Sequence, residues 1–213
     1  MSSFLESYQR QPKLFIDLPS KGKFYQHGNT VADGQSVQIP VFGMNAMDEI
    51  LFKTPDALFT GKATADVIHS CIPTITNPWN LVGYDIDFVL IAMRIATYGD
   101  KMPISSECPA CNAANQSQIS LQKVLEGFDN YPVDFNFNIK DLTFNVKPLS
   151  YKQTTDFSIE NYTNERELFQ ISKIEDDTER SVAQQEVYKK QNDLNIRLAI
   201  SYIDSIQNSD SQE

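Results

Sequence analysis

Residues 85–99 read DIDFVLIAMRIATYG, and this stretch decides the fold. Asp85 is suited to cap a helix, because a carboxylate accepts the free N–H groups of a first turn. Gly99 is suited to end it, because glycine adopts the left-handed cap conformation without strain. Between them Phe88, Val89, Ile91, Ala92, Ile95 and Ala96 cover several faces. A helix apolar around most of its circumference is buried, so the spacing predicts a central core helix. A bilayer span needs roughly 20 apolar residues. DFVLIAMRIA is shorter and contains Arg94.

Upstream, more helix is expected. Asn45 can cap AMDEILF, with Asp48 well placed in the first turn, and Pro55 stops or restarts the chain. Thr64 can cap ADVIHSC, which ends before Pro73, and NPWN reads as a turn-like link. Nearer the start, LFIDLPSKGKFY is a short strand broken by Pro19 and a turn at Ser20-Lys21-Gly22. VQIPVF is a second short strand, placed at an edge because Pro40 cannot donate to a ladder.

Downstream, KMPISSECPACNAANQSQIS over residues 101–120 predicts a hairpin with Cys108 and Cys111 at its tip, and Ser120 can cap LQKVLEG. VDFNFNIKDLTFNVKPL, residues 133–149, carries the clearest β alternation. A turn at Lys140-Asp141 would pair Ile139 with Leu142, Phe137 with Phe144 and Phe135 with Val146, all on one face. Ser150 and Gln153 form a capping-box pattern before TTDFSIENY, and a second helix covers ERELFQISKI. EDDTER precedes a long helix over about 178–207, with Val187, Leu194 and Leu198 on one stripe and Tyr202, Ile203 and Ile206 beyond. The tail QNSDSQE has nothing to bury and is expected to fray.

The predicted fold class is α+β: mostly helical, with small antiparallel β elements at the N-terminal strands, the Cys-knuckle hairpin and the 133–147 hairpin, and a long C-terminal helix. Two regions are expected, a mixed α/β domain over 1–149 and a helical region over 150–213.

Composition narrows the function classes. The 213 residues carry 28 acidic and 18 basic side chains, a net charge of -10. That balance argues against a nucleic-acid partner. No secretory leader pattern or membrane span is visible, so a soluble protein is expected. Three cysteines do not make a disulfide framework and fit a reducing compartment. Thirteen Phe and nine Tyr are many for this length and fit a protein-assembly role.

Cys108 and Cys111 are the residues that carry chemistry. Two thiolates two residues apart can hold one side of a tetrahedral zinc site, which needs four ligands. Cys71, His69 and His27 are the remaining candidates, but Cys71 and His69 are two apart on a helix and diverge. A site shared between subunits, a metal-free turn and a redox dithiol are the alternatives; the last lacks a following helix N-terminus. No nucleophile elbow, zinc-protease helix, phosphate loop or dinucleotide fingerprint is present. Glu175-Asp176-Asp177 reads as a helix start. The expectation is no enzyme, and no cofactor apart from the zinc option at Cys108 and Cys111.

Other features fit binding. Lys21, Gly22, Phe24 and Tyr25 form a turn followed by two aromatics, and Trp79 lies in a loop between helices. Aromatic anchors in loops become interface hot spots. The competing reading is that Phe24, Tyr25 and Trp79 cover the helical core.

Taken in order, LPSKGKFY, DEILFKTPDALFTGKATADVIHSCIP, NPWNL, DIDFVLIAMRIATYGDKM, the CPAC knuckle and the hairpin ending in KPLSY resemble the baseplate hub and hub-assembly family of T-even-like contractile-tailed bacteriophages. The resemblance covers roughly residues 14–155. Its matching positions are Lys21, Gly22 and Tyr25, then Thr54, Pro55 and Asp56, then Cys108 and Cys111. It implies a structural or assembly component of the central hub region, acting by protein contact without catalysis. Implied partners are other baseplate or hub proteins, with a second copy of the chain admitted, and no nucleic acid or membrane. The implied location is the virion's tail baseplate or the host cytoplasm during assembly. A zinc-knuckle binding module and a thiol-redox enzyme stand as alternatives. The family's members continue into further helical sequence, so a short or truncated member is expected.

Overall fold

The computed structural model describes residues 10–25, 38–130 and 135–208. At its centre is α4, Gly83–Tyr98, which buries Ile86, Phe88, Val89, Ala92 and Met93. Gly99 ends it with a left-handed φ of 87°, as its sequence position predicts. Asp85 corrects the reading as a cap. The helix begins at Gly83, Val82 holds the cap position, and Asp85 is wholly buried within the first turn. Its carboxylate is used by the N-terminal segment instead.

Two short strands lie against this helix: β1, Leu14–Ile16, and β2, Ile39–Val41, antiparallel with Phe15 opposite Pro40. Ile16, Ile39 and Val41 face the core, while Pro40 sits on an outer strand as its missing N–H requires. Within the connection between them, residues 26–37, which include His27 and Val37, fall outside the described residues.

Three helices follow in short order. In α1, Ala46–Leu51, Asn45 and Asp48 form a reciprocal capping box. In α2, Pro55–Phe59, Pro55 takes the first helical position, where no N–H is needed. In α3, Lys62–Cys71, the start is earlier than Thr64, which lies buried within the helix. Gly61 holds the cap with φ 74°, and this tight turn from α2 displaces the start. Val67, Ile68, Cys71 and Ile72 complete the core with Ile75 and Leu81. Arg10 clasps this end of α3. Its guanidinium donates to Ser70 O at 3.0 Å and Asp48 Oδ2 at 3.1 Å, and also to the Gly43 carbonyl.

Beyond α4 come β3, Lys101–Glu107, and β4, Ala114–Ser120, paired only with each other. Ser120 then caps α5, Leu121–Glu126. The second hairpin, β5 Phe135–Ile139 and β6 Leu142–Val146, has the register read from alternation: Ile139 opposite Leu142, Phe137 opposite Phe144 and Phe135 opposite Val146. Lys140 makes the turn with a left-handed φ of 53°.

The C-terminal part differs from expectation in two respects. Ser150 and Gln153 do form a capping box, but they open one continuous helix, α6, Tyr151–Ile171, where two were expected. The long helix that follows, α7, runs Asp177–Tyr202 and not to 207. Ile203–Asn208 instead form β7, which pairs antiparallel with β6 and completes a three-stranded sheet. Gln207 and Asn208 are thus in a strand, and the rest of the tail, residues 209–213, falls outside the described residues. Val187 and Leu194 of α7 are buried, and Asn161, Asn164 and Gln191 hydrogen-bond where α6 meets α7.

The fold is α+β, mostly helical with small antiparallel β elements and a long helix near the C-terminus.

Candidate interaction surface

The LPSKGKFY turn is built around Asp85. Lys21 and Gly22 both adopt left-handed φ, 50° and 75°, which reverses the chain. Lys21 N donates to Leu18 O at 2.8 Å and Lys23 N to Ser20 O at 3.0 Å. Ser20 N donates to Asp85 Oδ1 at 3.0 Å, and the Tyr25 hydroxyl donates to Asp85 Oδ2. Tyr25 Oη in turn accepts from Val82 N at 3.0 Å. Burial raises the Asp85 carboxyl above its ordinary range, against the opposing pull of the hydrogen bonds from Ser20 and Tyr25. Burial and then the Asp85 charge raise the Tyr25 phenol. The motif therefore divides. Lys21 and Gly22 are exposed at the turn, Phe24 is half-buried with its ring edge-on to Tyr84, and Tyr25 is a fastener.

Trp79 is half-buried and stacks on Tyr151, with ring centroids 5.3 Å apart and planes 23° apart. Tyr151 N also donates to Leu81 O at 2.7 Å, so this loop holds the first turn of α6. Pro55 is exposed at the start of α2, on the helix that presents Leu58 and Phe59 to the surface. Phe59 meets Tyr162 of α6 edge-on at 5.0 Å.

A groove of about 610 Å³ runs between this motif and the three-stranded sheet. Lys23, Phe24, Asn80 and Val82 line one side, and Phe135 and Val146 line the other. The structure thus brings Phe24 together with the neighbour of Trp79, while Pro55 is not among the groove's residues.

Sequence reasoning missed the sheet's breadth. Cross-strand partners share a face, so Phe135, Phe137, Ile139, Leu142, Phe144 and Ile206 lie on one side of β5, β6 and β7. Phe137 and Phe144 stack with centroids 5.1 Å apart. Five of these residues remain 38–54 % exposed: Phe135, Phe137, Ile139, Leu142 and Ile206. The opposite face carries Asn136, Asn138, Thr143, Asn145 and Ser205, with Asn145 donating to Ser205 Oγ at 2.9 Å. The signal that could have found β7 is Ile203 and Ile206 in a polar run, a poor continuation of the Val187–Leu194–Leu198 stripe.

The cysteines separate. Cys71 is fully buried on α3, against Arg10 and Asp48, and its thiol is pushed up to about 11, by burial first and then by the Asp48 charge. His69 is occupied by the Ile75 carbonyl at 3.0 Å. Cys108 and Cys111 are free thiols at the tip of the β3–β4 hairpin. Cys108 N donates to Ala113 O at 3.0 Å, Asn112 N donates to Cys108 O at 2.8 Å, and Asn112 is left-handed at φ 54°. The N–H groups of Ala110 and then Cys111 reach the Cys108 sulfur and hold its thiol below the usual value. Cys71 and His69, the candidates that diverge on their helix, are thus engaged away from this pair, and no group of three or more His, Cys, Asp or Glu side chains gathers among the described residues.

Residues 16–212 match the family model described as T4 bacteriophage base plate protein, nearly the whole chain. The chain belongs to this family. It is a structural or assembly component of a phage base plate, a role it fills together with other base plate proteins. No curated protein and no solved structure matches it. Among the described residues, no helix is long and apolar enough to cross a membrane.

Proposed function

We propose that this base plate protein of the T4 family acts in the central hub region, in the virion or in the host cytoplasm during assembly, by docking an apolar face of another base plate or hub protein. The observation that carries the reading is the uncovered apolar side of β5, β6 and β7. Single exposed apolar residues are ordinary, but a contiguous patch with a polar rim marks a protein contact. Here five large side chains on one sheet face stay 38–54 % exposed.

Within this reading, Phe24 forms the rim across the groove from the sheet, and Lys21 and Gly22 stand exposed at the turn beside it. Tyr25 and Trp79 serve the interface by holding the turn and the first turn of α6 in place. Pro55 belongs to a second contact area with Leu58. Residues 1–149 present the hairpins and the turn, and residues 150–213 present the helical pair and the closing strand.

The test is co-expression with the phage's other base plate proteins, followed by affinity capture of wild type and of F137S/I206S. Both altered side chains are exposed, so far-UV circular dichroism should stay close to wild type, and the loss of their packing on Phe144 should lower stability by no more than about 2 kcal/mol. Retention of the partner should fall at least about tenfold, equivalent to ~1.4 kcal/mol. Unchanged retention by a folded variant would remove the sheet face from the interface.

A further inference from the structure

We propose that Cys108 and Cys111 form half of a tetrathiolate zinc site, completed by the same two residues of a second copy of the chain. The pair stands at the end of a hairpin whose two seven-residue strands, among the described residues, pair only with each other. Seven residues of strand extend about 23 Å. Most of β3 and β4 is exposed, so the tip is held away from the helical core.

The turn is preorganised as a ligand. The hydrogen bonds from Cys108 N to Ala113 O and from Asn112 N to Cys108 O close it on itself. The left-handed Asn112 turns the chain back into β4. The N–H groups of Ala110 and Cys111 point at the Cys108 sulfur and fix its position at the tip. The base of the hairpin is also fixed, because Asp100 Oδ1 accepts from Ser120 Oγ at 2.9 Å and from Gln122 N at 2.8 Å.

Two thiolates alone leave a tetrahedral zinc ion half-coordinated. This chain does not supply the remainder from its described residues. Cys71 is sealed in the core, His69 is bonded to Ile75 O, and no third metal-binding side chain joins the pair. In the proposed site the two remaining ligands come from another chain. A second copy fits for two reasons. A two-fold axis through the metal would make the pair self-complementary, four sulfurs from two identical tips. The stretch 102–119 also contains a single charged residue, Glu107, although the chain as a whole carries -10. Two tips can therefore meet with little of the repulsion that two bodies would feel. Binding would release the thiol protons to solvent and form four Zn–S bonds, with no change of oxidation state. The inference stands apart from the sheet-face reading and does not depend on it.

The test uses the full, reduced chain, wild type and C108S/C111S, dialysed against ZnCl₂ and then against metal-free buffer. Metal content is read by elemental analysis and mass by light scattering. The expected result is one zinc per two wild-type chains, with the mass doubling on zinc addition and returning to the monomer value with chelator. The double variant should hold no zinc, remain monomeric and keep its melting curve, since both side chains lie at the tip. Co²⁺ in place of Zn²⁺ should give the visible bands of a tetrahedral tetrathiolate. One zinc per monomer, zinc retained by the double variant, zinc held only when another base plate protein is added, or no zinc at all would each overturn the proposal.

Discussion

The Tyr25 hydroxyl donates to the buried carboxylate of Asp85, fastening the exposed KGKFY turn to the first turn of the core helix. The same hydroxyl accepts from Val82 N. Tyr25→Phe removes both bonds and strands two polar groups, one of them a carboxylate oxygen. The expected cost is about 1–3 kcal/mol, read as a lower urea midpoint with an unchanged slope. A cost near zero would mean that water replaces the phenol.

The same carboxylate sets a pH dependence. Asp85 titrates above its ordinary value of 3.8 in the fold, so the folded state binds its proton more tightly than the unfolded state. Its contribution is fully present below that ordinary value and is lost as pH rises through the folded value. Wild type should therefore lose stability relative to Asp85→Asn across that window, at no more than ~1.4 kcal/mol per pH unit. Paired urea titrations at several pH values measure it. A gap that moves the opposite way would show that Ser20 and Tyr25 outweigh burial.

Thiol reactivity should split two to one. Cys108 and Cys111 are free at the hairpin tip, whereas Cys71 is fully buried and its thiol is raised to about 11. Ellman's reagent at pH 8, with the protein metal-free, should label two thiols quickly and the third only at the rate of unfolding. Three fast thiols would show that the Arg10 clasp opens readily.

Gly61 is required by conformation and by space. Its φ is 74°, and a Cβ there would lie 2.9 Å from Tyr151 Oη and 3.1 Å from Thr155. Gly61→Ala should cost about 2–3 kcal/mol through left-handed strain and the displacement of α6. Because Trp79, the only tryptophan, stacks on Tyr151, its fluorescence should change in the folded variant as well. A stability loss with no spectral change would separate the strain from the helix shift.

Ending the chain after Tyr202 should remove β7 and leave β6 an open edge. Five cross-strand pairs disappear, a loss of about 1–5 kcal/mol at the usual pair energies. The bared strand is a template for association, so light scattering should report concentration-dependent aggregation. A soluble, equally stable shortened chain would show that the hairpin needs no third strand.

Local patterns carried much of this fold in the sequence. The β5–β6 register follows from alternation alone, because a one-residue slip would turn Phe135, Phe137 and Ile139 away from Leu142, Phe144 and Val146. The capping boxes at Asn45 and Ser150 were equally legible. What stayed hidden depends on distant partners. An aspartate near a helix start looks like a cap whether it serves its own N–H groups or, like Asp85, a residue 60 positions away. β7 has only the faint local hint of Ile203 and Ile206, because its partner, β6, lies before two long helices and the pairing itself leaves no local signature. The division of the KGKFY motif into an exposed half and a fastening half likewise needs Asp85 to be in view. Of the cysteines, the hairpin position of Cys108 and Cys111 was readable, but the sealing of Cys71 by Arg10 and Asp48 was not.

The return of β7 to β6 also imposes an order on synthesis. On the ribosome, β5 and β6 emerge early and wait as a bare two-stranded hairpin while α6 and α7 are translated. Only when residues 203–208 leave the exit tunnel can the sheet close and its apolar side take its final width. Nascent or prematurely terminated chains lack that side in finished form, so a base plate that selects for it takes up completed subunits alone.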